Sequence, residues 1–132
     1  MTKQEKMLEL RADTAVHYNC AQSVLIPYAR ECGMDEETAG RLGTHFGGGM
    51  RMGSVCGAVT GTLMVLGAMG FGEEESRRLL REFRERNGSV NCNELLRSAH
   101  ERGEERKAHC DRMIEECVAF LEAINEKESD AC

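Results

Sequence analysis

The chain has 132 residues, a formal net charge of −6 and 30% charged residues. That length supplies one domain with a core of its own, and the acidic balance argues against a nucleic-acid partner, whose phosphates call for a basic surface. Aromatic residues make up 5%, Trp is absent and Pro occurs once, which points to helices packed through Leu, Ala, Met and Cys.

The first residues, MTKQEKMLEL, are charged and lack the apolar run of a signal peptide, so a cytoplasmic location is expected. Residues 3–18 have helical composition, with Met7, Leu8, Ala12, Ala15 and Val16 as the apolar stripe. Asn19 offers an N-cap, and Gln22 three residues later completes a capping-box pattern. The helix that follows places Ala21, Val24, Leu25, Tyr28, Ala29 and Cys32 on one face. Pro27 inside it removes a backbone donor and predicts a kink, and Gly33 supplies the stop. Asp35 caps a short helix to about Gly43.

Gly47 to Gly61 reads GGGMRMGSVCGAVTG and organises the rest. Gly47, Gly48 and Gly49 open positive φ to the backbone and let other groups approach it closely. Ser54 reads as the N-cap of the next helix, which puts Cys56 second in it, facing unpaired N–H groups and the positive end of the dipole. That setting favours thiolate, the form that reacts or binds metal. Gly53, Gly57 and Gly61 recur every four residues, so one side of this helix is nearly bare backbone against which something packs. The helix runs from about Val55 to Met69, and Gly70 to Gly72 break it. Residues 53–72 carry no charge, but six are glycine and only Leu63 to Phe71 is strongly apolar. A buried central helix is therefore expected rather than a membrane span.

Glu73, Glu74 and Glu75 open a further helix at its positive end, and Arg77, Arg78, Arg81, Arg84 and Arg86 follow toward the negative end. Interleaved with Glu82 and Glu85, these arginines read as a solvated face. Asn87-Gly88 ends that helix. Asn91 and Glu94 frame a second capping box and open a short helix. The last helix spans about Glu104 to Lys127, with Cys110, Met113, Ile114, Cys117, Phe120, Leu121 and Ile124 on one face. Residues 127–132 form a polar tail expected to fray. No segment alternates in the manner of a strand.

Seven cysteines, an odd number, suggest sites in a reducing compartment rather than a disulfide scaffold. Cys20 and Cys92 each stand first in a capped helix, and Cys56 makes a third cysteine at a helix start, where thiol pKa values fall. Cys32, Cys110 and Cys117 fall on apolar faces and by periodicity read as small core residues; Cys132 looks incidental. There is no Cys-x-x-Cys, hence no zinc ribbon, thioredoxin-type dithiol or bacterial ferredoxin run, and no Cys-x-x-Cys-His for covalent haem. A metal would have to be gathered from several helices; His17 and His109, beside Cys20 and Cys110, read first as surface or capping histidines and only second as ligands. The glycine loop lacks the strand and the Gly-Lys-Ser/Thr of a phosphate loop.

The runs NCAQSVL, FGGGMRMGSVCGAVTGTLMVLG and SVNCNELL, followed by a cysteine near the start of the final helix, resemble the C_GCAxxG_C_C family of redox-active proteins over about Tyr18 to Val118. His17 stands where glycine is expected before Tyr-Asn-Cys. The resemblance implies that Cys20, Cys56, Cys92 and Cys110 act together, and related domains of split-Soret cytochromes suggest an iron–sulfur centre.

The expectation is thus a single all-α domain, a compact bundle of about five to seven helices around a glycine-rich central helix. Cys20, Cys56, Cys92 and Cys110 would converge beside Gly47, Gly48, Gly49, Gly53 and Gly57, these glycines cradling the cofactor. The leading function is electron transfer by a bound iron–sulfur cluster. The alternatives are thiol–disulfide exchange without metal, Cys56 attacking and Cys20 resolving, and a structural zinc or cysteine-rich partner-binding module. A redox partner protein is implied, and a homodimer is compatible. Whether the chain is an oxidoreductase or only an electron carrier stays open.

Overall fold

The structure, a computed structural model, describes residues 1–131 and the side chains of residues 1–126. Its helices are α1 (Lys3–Ala12), α2 (Cys20–Leu25), α3 (Glu36–Gly43), α4 (Gly57–Ala68), α5 (Glu73–Asn87), α6 (Cys92–Glu101) and α7 (Arg106–Ala131). No strand occurs among the described residues, and the expected all-α bundle is what forms. The tail expected to fray, 127–132, has no described side chain, and Cys132 lies outside the described residues.

Helix α4 is central. Ala58, Val59, Thr62, Val65 and Leu66 are all buried, which is why it carries no charge. The Thr62 hydroxyl is satisfied by donating to the Ala58 carbonyl at 2.7 Å, one turn back. Helix α2 packs most closely on α4, and α7 covers both. Their shared core holds Val24, Leu25, Tyr28, Met113, Ile114, Val118 and Leu121. With 12 residues, α4 is about 18 Å long, against the ~30 Å of a bilayer core. Among the described residues no helix is long and apolar enough to cross a membrane.

The bare face of α4 has the neighbour its spacing requires. A Cβ on Gly61 would lie 2.8 Å from the Ala21 carbonyl oxygen, and one on Gly57 3.1 Å from Cys20 Cβ. Gly53 belongs to the loop instead, at φ +70°, with Asn93 against it. The α5 arginines are solvent-facing ion pairs as expected, Arg77 with Glu73 at 3.1 Å and Arg78 with Glu82 at 3.3 Å.

Several local expectations are corrected. Helix α1 stops at Ala12 rather than near Tyr18, because the Asp13 carboxylate accepts from the Ala15 and Val16 amides and turns the chain. Its buried residues are Met7 and Leu10, while Leu8 and Val16 are exposed. At Pro27 the chain does not kink and continue; it tightens into a 3₁₀ turn, Ile26–Tyr28. The Asn19–Gln22 capping box forms in full. At Asn91 only half of one forms, because Ser89 Oγ donates to Glu94 and accepts from the Asn91 amide. The last helix begins at Arg106 rather than Glu104.

Gly61→Leu should drive side-chain atoms into the α2 backbone and lower stability by about 1–3 kcal/mol. Urea unfolding followed by circular dichroism measures this, and an unchanged midpoint would mean that α2 does not lie where it is described.

Candidate functional site

The glycine loop makes the site by letting helix starts come close to one another. Gly48, Gly49, Met50 and Arg51 have φ of 61°, 64°, 58° and 62°, one left-handed turn. For Met50 and Arg51 this conformation costs about 1–2 kcal/mol each, so packing around the loop must hold it. Beyond the turn, the chain pairs with the segment before α6 through a single bridge between Val55 and Asn91. The Cys56 amide donates to the Val90 carbonyl at 2.8 Å and the Cys92 amide to the Ser54 carbonyl at 2.6 Å. Cys56 and Cys92 are thereby fixed side by side.

Each expected cradle glycine has a definite place. A Cβ on Gly47 would sit 2.5 Å from Asn19 Cβ, and one on Gly49 2.7 Å from Cys92 Cβ. Gly47 therefore serves close approach rather than positive φ. Gly53 is pressed by Asn93, and only Gly48 and Gly57 border the cavity described next.

Cys20, Cys56, Cys92 and Cys110 all line one cavity of about 380 Å³. They come from the starts of α2, α4, α6 and α7 respectively. Its apolar wall includes Leu10, Leu95, Leu96 and Met113; Arg11, Arg106 and Lys107 bring positive charge. His17 and His109 also border it, but His17 is exposed and follows a non-helical stretch. Cys32 and Cys117 do not line the cavity: Cys117 is wholly buried under α4, and Cys32 lies half-buried beyond the 3₁₀ turn.

The electrostatics depart from expectation at Cys56. Ser54 is not an N-cap; Cys56 itself occupies that position, with α4 starting at Gly57. The amides of Ala58 and Val59 favour its thiolate, but burial outweighs them and pushes the pKa up to about 11. Cys56 is 5% exposed. Burial also raises Cys92, against the opposing pull of Arg106.

Cys20 and Cys110 border the cavity together, and each thiol acts on the other's ionisation. Cys110 is lowered to about 7, first by its bond to Cys20, with Arg11 and Arg106 assisting against burial. Cys20 is raised, chiefly by that same bond and then by burial. The two opposite shifts belong to the pair rather than to either sulfur alone. Arg11 is itself pinned, its Nε 2.6 Å from Asp111 Oδ1 and its Nη1 donating to the Tyr18 carbonyl at 2.8 Å. His109 is 3% exposed and loses basicity through burial. Its Nδ1 lies 3.4 Å from Glu104 Oε1 without forming a hydrogen bond.

Sequence reasoning missed the cations. A signal existed for Arg106, which stands four residues before Cys110 on the same helix face. Arg11 had none, because it reaches the site only through the packing of α1 on α7.

An all-helical fold thus brings four thiols to the border of one cation-bearing cavity. Residues 18–124 match the family described as "Putative redox-active protein (C_GCAxxG_C_C)", and the chain belongs to that family. No curated protein and no solved structure matches the chain.

In pH-resolved alkylation of the reduced protein, Cys110 should react first, half-maximally near pH 7, and Cys56 only after unfolding. Cys20→Ala should move the Cys110 midpoint upward, because it removes the side chain that most favours the Cys110 thiolate. A midpoint unmoved by that change would mean the thiols do not interact.

Proposed function

We propose that the protein carries out two-electron thiol–disulfide exchange through Cys20 and Cys110. The observation that carries this reading is that Cys20 and Cys110 border one cavity, near enough that each thiol shifts the other's ionisation. The Cys110 thiolate attacks one sulfur of an incoming disulfide and expels the other as thiolate. Cys20 passes its proton to the expelled thiolate, then attacks Cys110 Sγ and releases the second half as a thiolate that solvent protonates. The incoming disulfide gains two electrons and two protons, and the pair becomes a disulfide. This assigns attack to Cys110 rather than to the buried Cys56, whose raised pKa leaves little thiolate.

A second reading, electron transfer through an iron–sulfur cluster, is favoured by the convergence of all four cysteines on the same cavity. The donor set fits such a group: four thiols from four elements, with Arg11 and Arg106 to offset its negative charge. Among the described residues no three His, Cys, Asp or Glu side chains stand close enough to hold a metal ion. A single zinc, which needs sulfurs at about 2.3 Å from one centre, suits that spacing less well than a group of several atoms. Cys20, Cys56, Cys92 and Cys110 would be its ligands, and it would supply one-electron chemistry when bound. Gly48 and Gly57, bordering the cavity without side chains, would leave room for it.

Two measurements separate the readings. Peptide mapping after equilibration in a thiol–disulfide buffer should find a Cys20–Cys110 bond in the parent and in Cys56→Ser. Anaerobic reconstitution with iron and sulfide, read by visible absorbance and metal analysis, should give a chromophore that Cys56→Ser loses if the cluster reading holds. Failure to find the Cys20–Cys110 bond under any buffer poise sinks the exchange reading.

A further inference from the structure

The chain is acidic as a whole, at −6, yet its cysteine cavity is bordered by three cations, Arg11, Arg106 and Lys107, and one carboxylate, Asp13. Most of these charges are already engaged. Asp13 accepts from two backbone amides, while Arg11 and Lys107 share the Asp111 carboxylate at 2.6 and 2.8 Å. Arg106 differs: among the described residues it has neither an ion-pair partner nor a side-chain hydrogen bond. It is exposed at the first turn of α7, and its charge acts on both Cys92 and Cys110. An unengaged guanidinium on the border of a cysteine-lined cavity is a ready carboxylate receptor, since its planar fork matches the two oxygens.

Size restricts what can enter. A cavity of about 380 Å³ is within the range of small-molecule pockets. Leu10, Leu95 and Leu96 share its lining with the four cysteines. A small disulfide matches that volume, whereas a cystine within a folded protein brings chain on both of its halves.

We infer that the cavity takes a low-molecular-weight disulfide bearing carboxylates, with Arg106 binding a carboxylate at the mouth while the Cys110 sulfur meets the disulfide bond. This rests on the exchange reading above and names its substrate class. The electron balance is that of the same exchange: the small disulfide is reduced to two thiols, and Cys20 and Cys110 are oxidised to one disulfide.

The test uses the full chain, reduced and metal-free, with three small disulfides of similar length: dithiodipropionate, which is dianionic, hydroxyethyl disulfide, which is neutral, and cystamine, which is dicationic. The rate of Cys20–Cys110 bond formation with each is divided by its rate with dithiothreitol, a neutral dithiol, which removes intrinsic reactivity. The normalised rates should fall from dianion to neutral to dication. Arg106→Gln should lower the dianion-to-neutral ratio by about threefold, the scale of a partly exposed ion pair. Arg77→Gln removes the same charge from exposed α5, outside the cavity, and should leave that ratio where it was. A dianion-to-neutral ratio at or below one, or a ratio equally lowered by both variants, overturns the carboxylate assignment while exchange stands. If none of the three forms the Cys20–Cys110 bond, the exchange reading itself falls.

Discussion

The structure depends on backbone that carries no side chains lying against the starts of other helices. Gly57 and Gly61 let α2 settle onto α4 at backbone distance, and Gly47 and Gly49 admit Asn19 and Cys92 to the loop. Three of the four cavity cysteines take their positions from this seam. The fourth, Cys110, is placed by a different force, the burial of Met113, Ile114, Cys117 and Val118 on α7. One constraint is steric and the other hydrophobic, and the cavity is where they meet.

Burial decides the thiol chemistry more than helix polarity does. A helix start favours a negative charge by about 0.3–1 kcal/mol when exposed, whereas one pKa unit already corresponds to about 1.4 kcal/mol. At Cys56 the two effects oppose each other and burial wins. At Cys110 a neighbouring thiol and two arginines act together, and there burial loses. The thiol of lowered pKa is thus the one beside charged neighbours, not the one set most perfectly at a helix start.

Local signals carried most of the fold. The Asn19–Gln22 box, the Asp35 cap and the stop at Asn87-Gly88 are written in adjacent residues and were legible for that reason. The end of α1 was not, because apolar Ala15 and Val16 continue a helical pattern that the Asp13 side chain interrupts. Nothing in their identities marks Met50 and Arg51 for a left-handed turn; the surrounding contacts impose it. The gathering of Cys20, Cys56 and Cys92 could be anticipated from their shared helix-start setting. Periodicity alone placed Cys110 in the core, and its residue spacing does bury its neighbours, yet its own thiol turns to the cavity.

The meeting of Cys20 with Cys110 joins the first and last cysteines of the site, so a bond between them would enclose a loop of about 90 residues. Closing such a loop removes about 4–5 kcal/mol of conformational freedom from the unfolded chain. By the closed thermodynamic cycle, whatever the fold contributes to holding the sulfurs together also lowers the potential at which their bond is reduced, about 30 mV for each 1.4 kcal/mol. The tightness of the α2–α4 seam and the oxidising strength of the pair are therefore one quantity seen twice. Loosening a glycine contact of that seam, beside Cys20, would make such a pair a stronger oxidant.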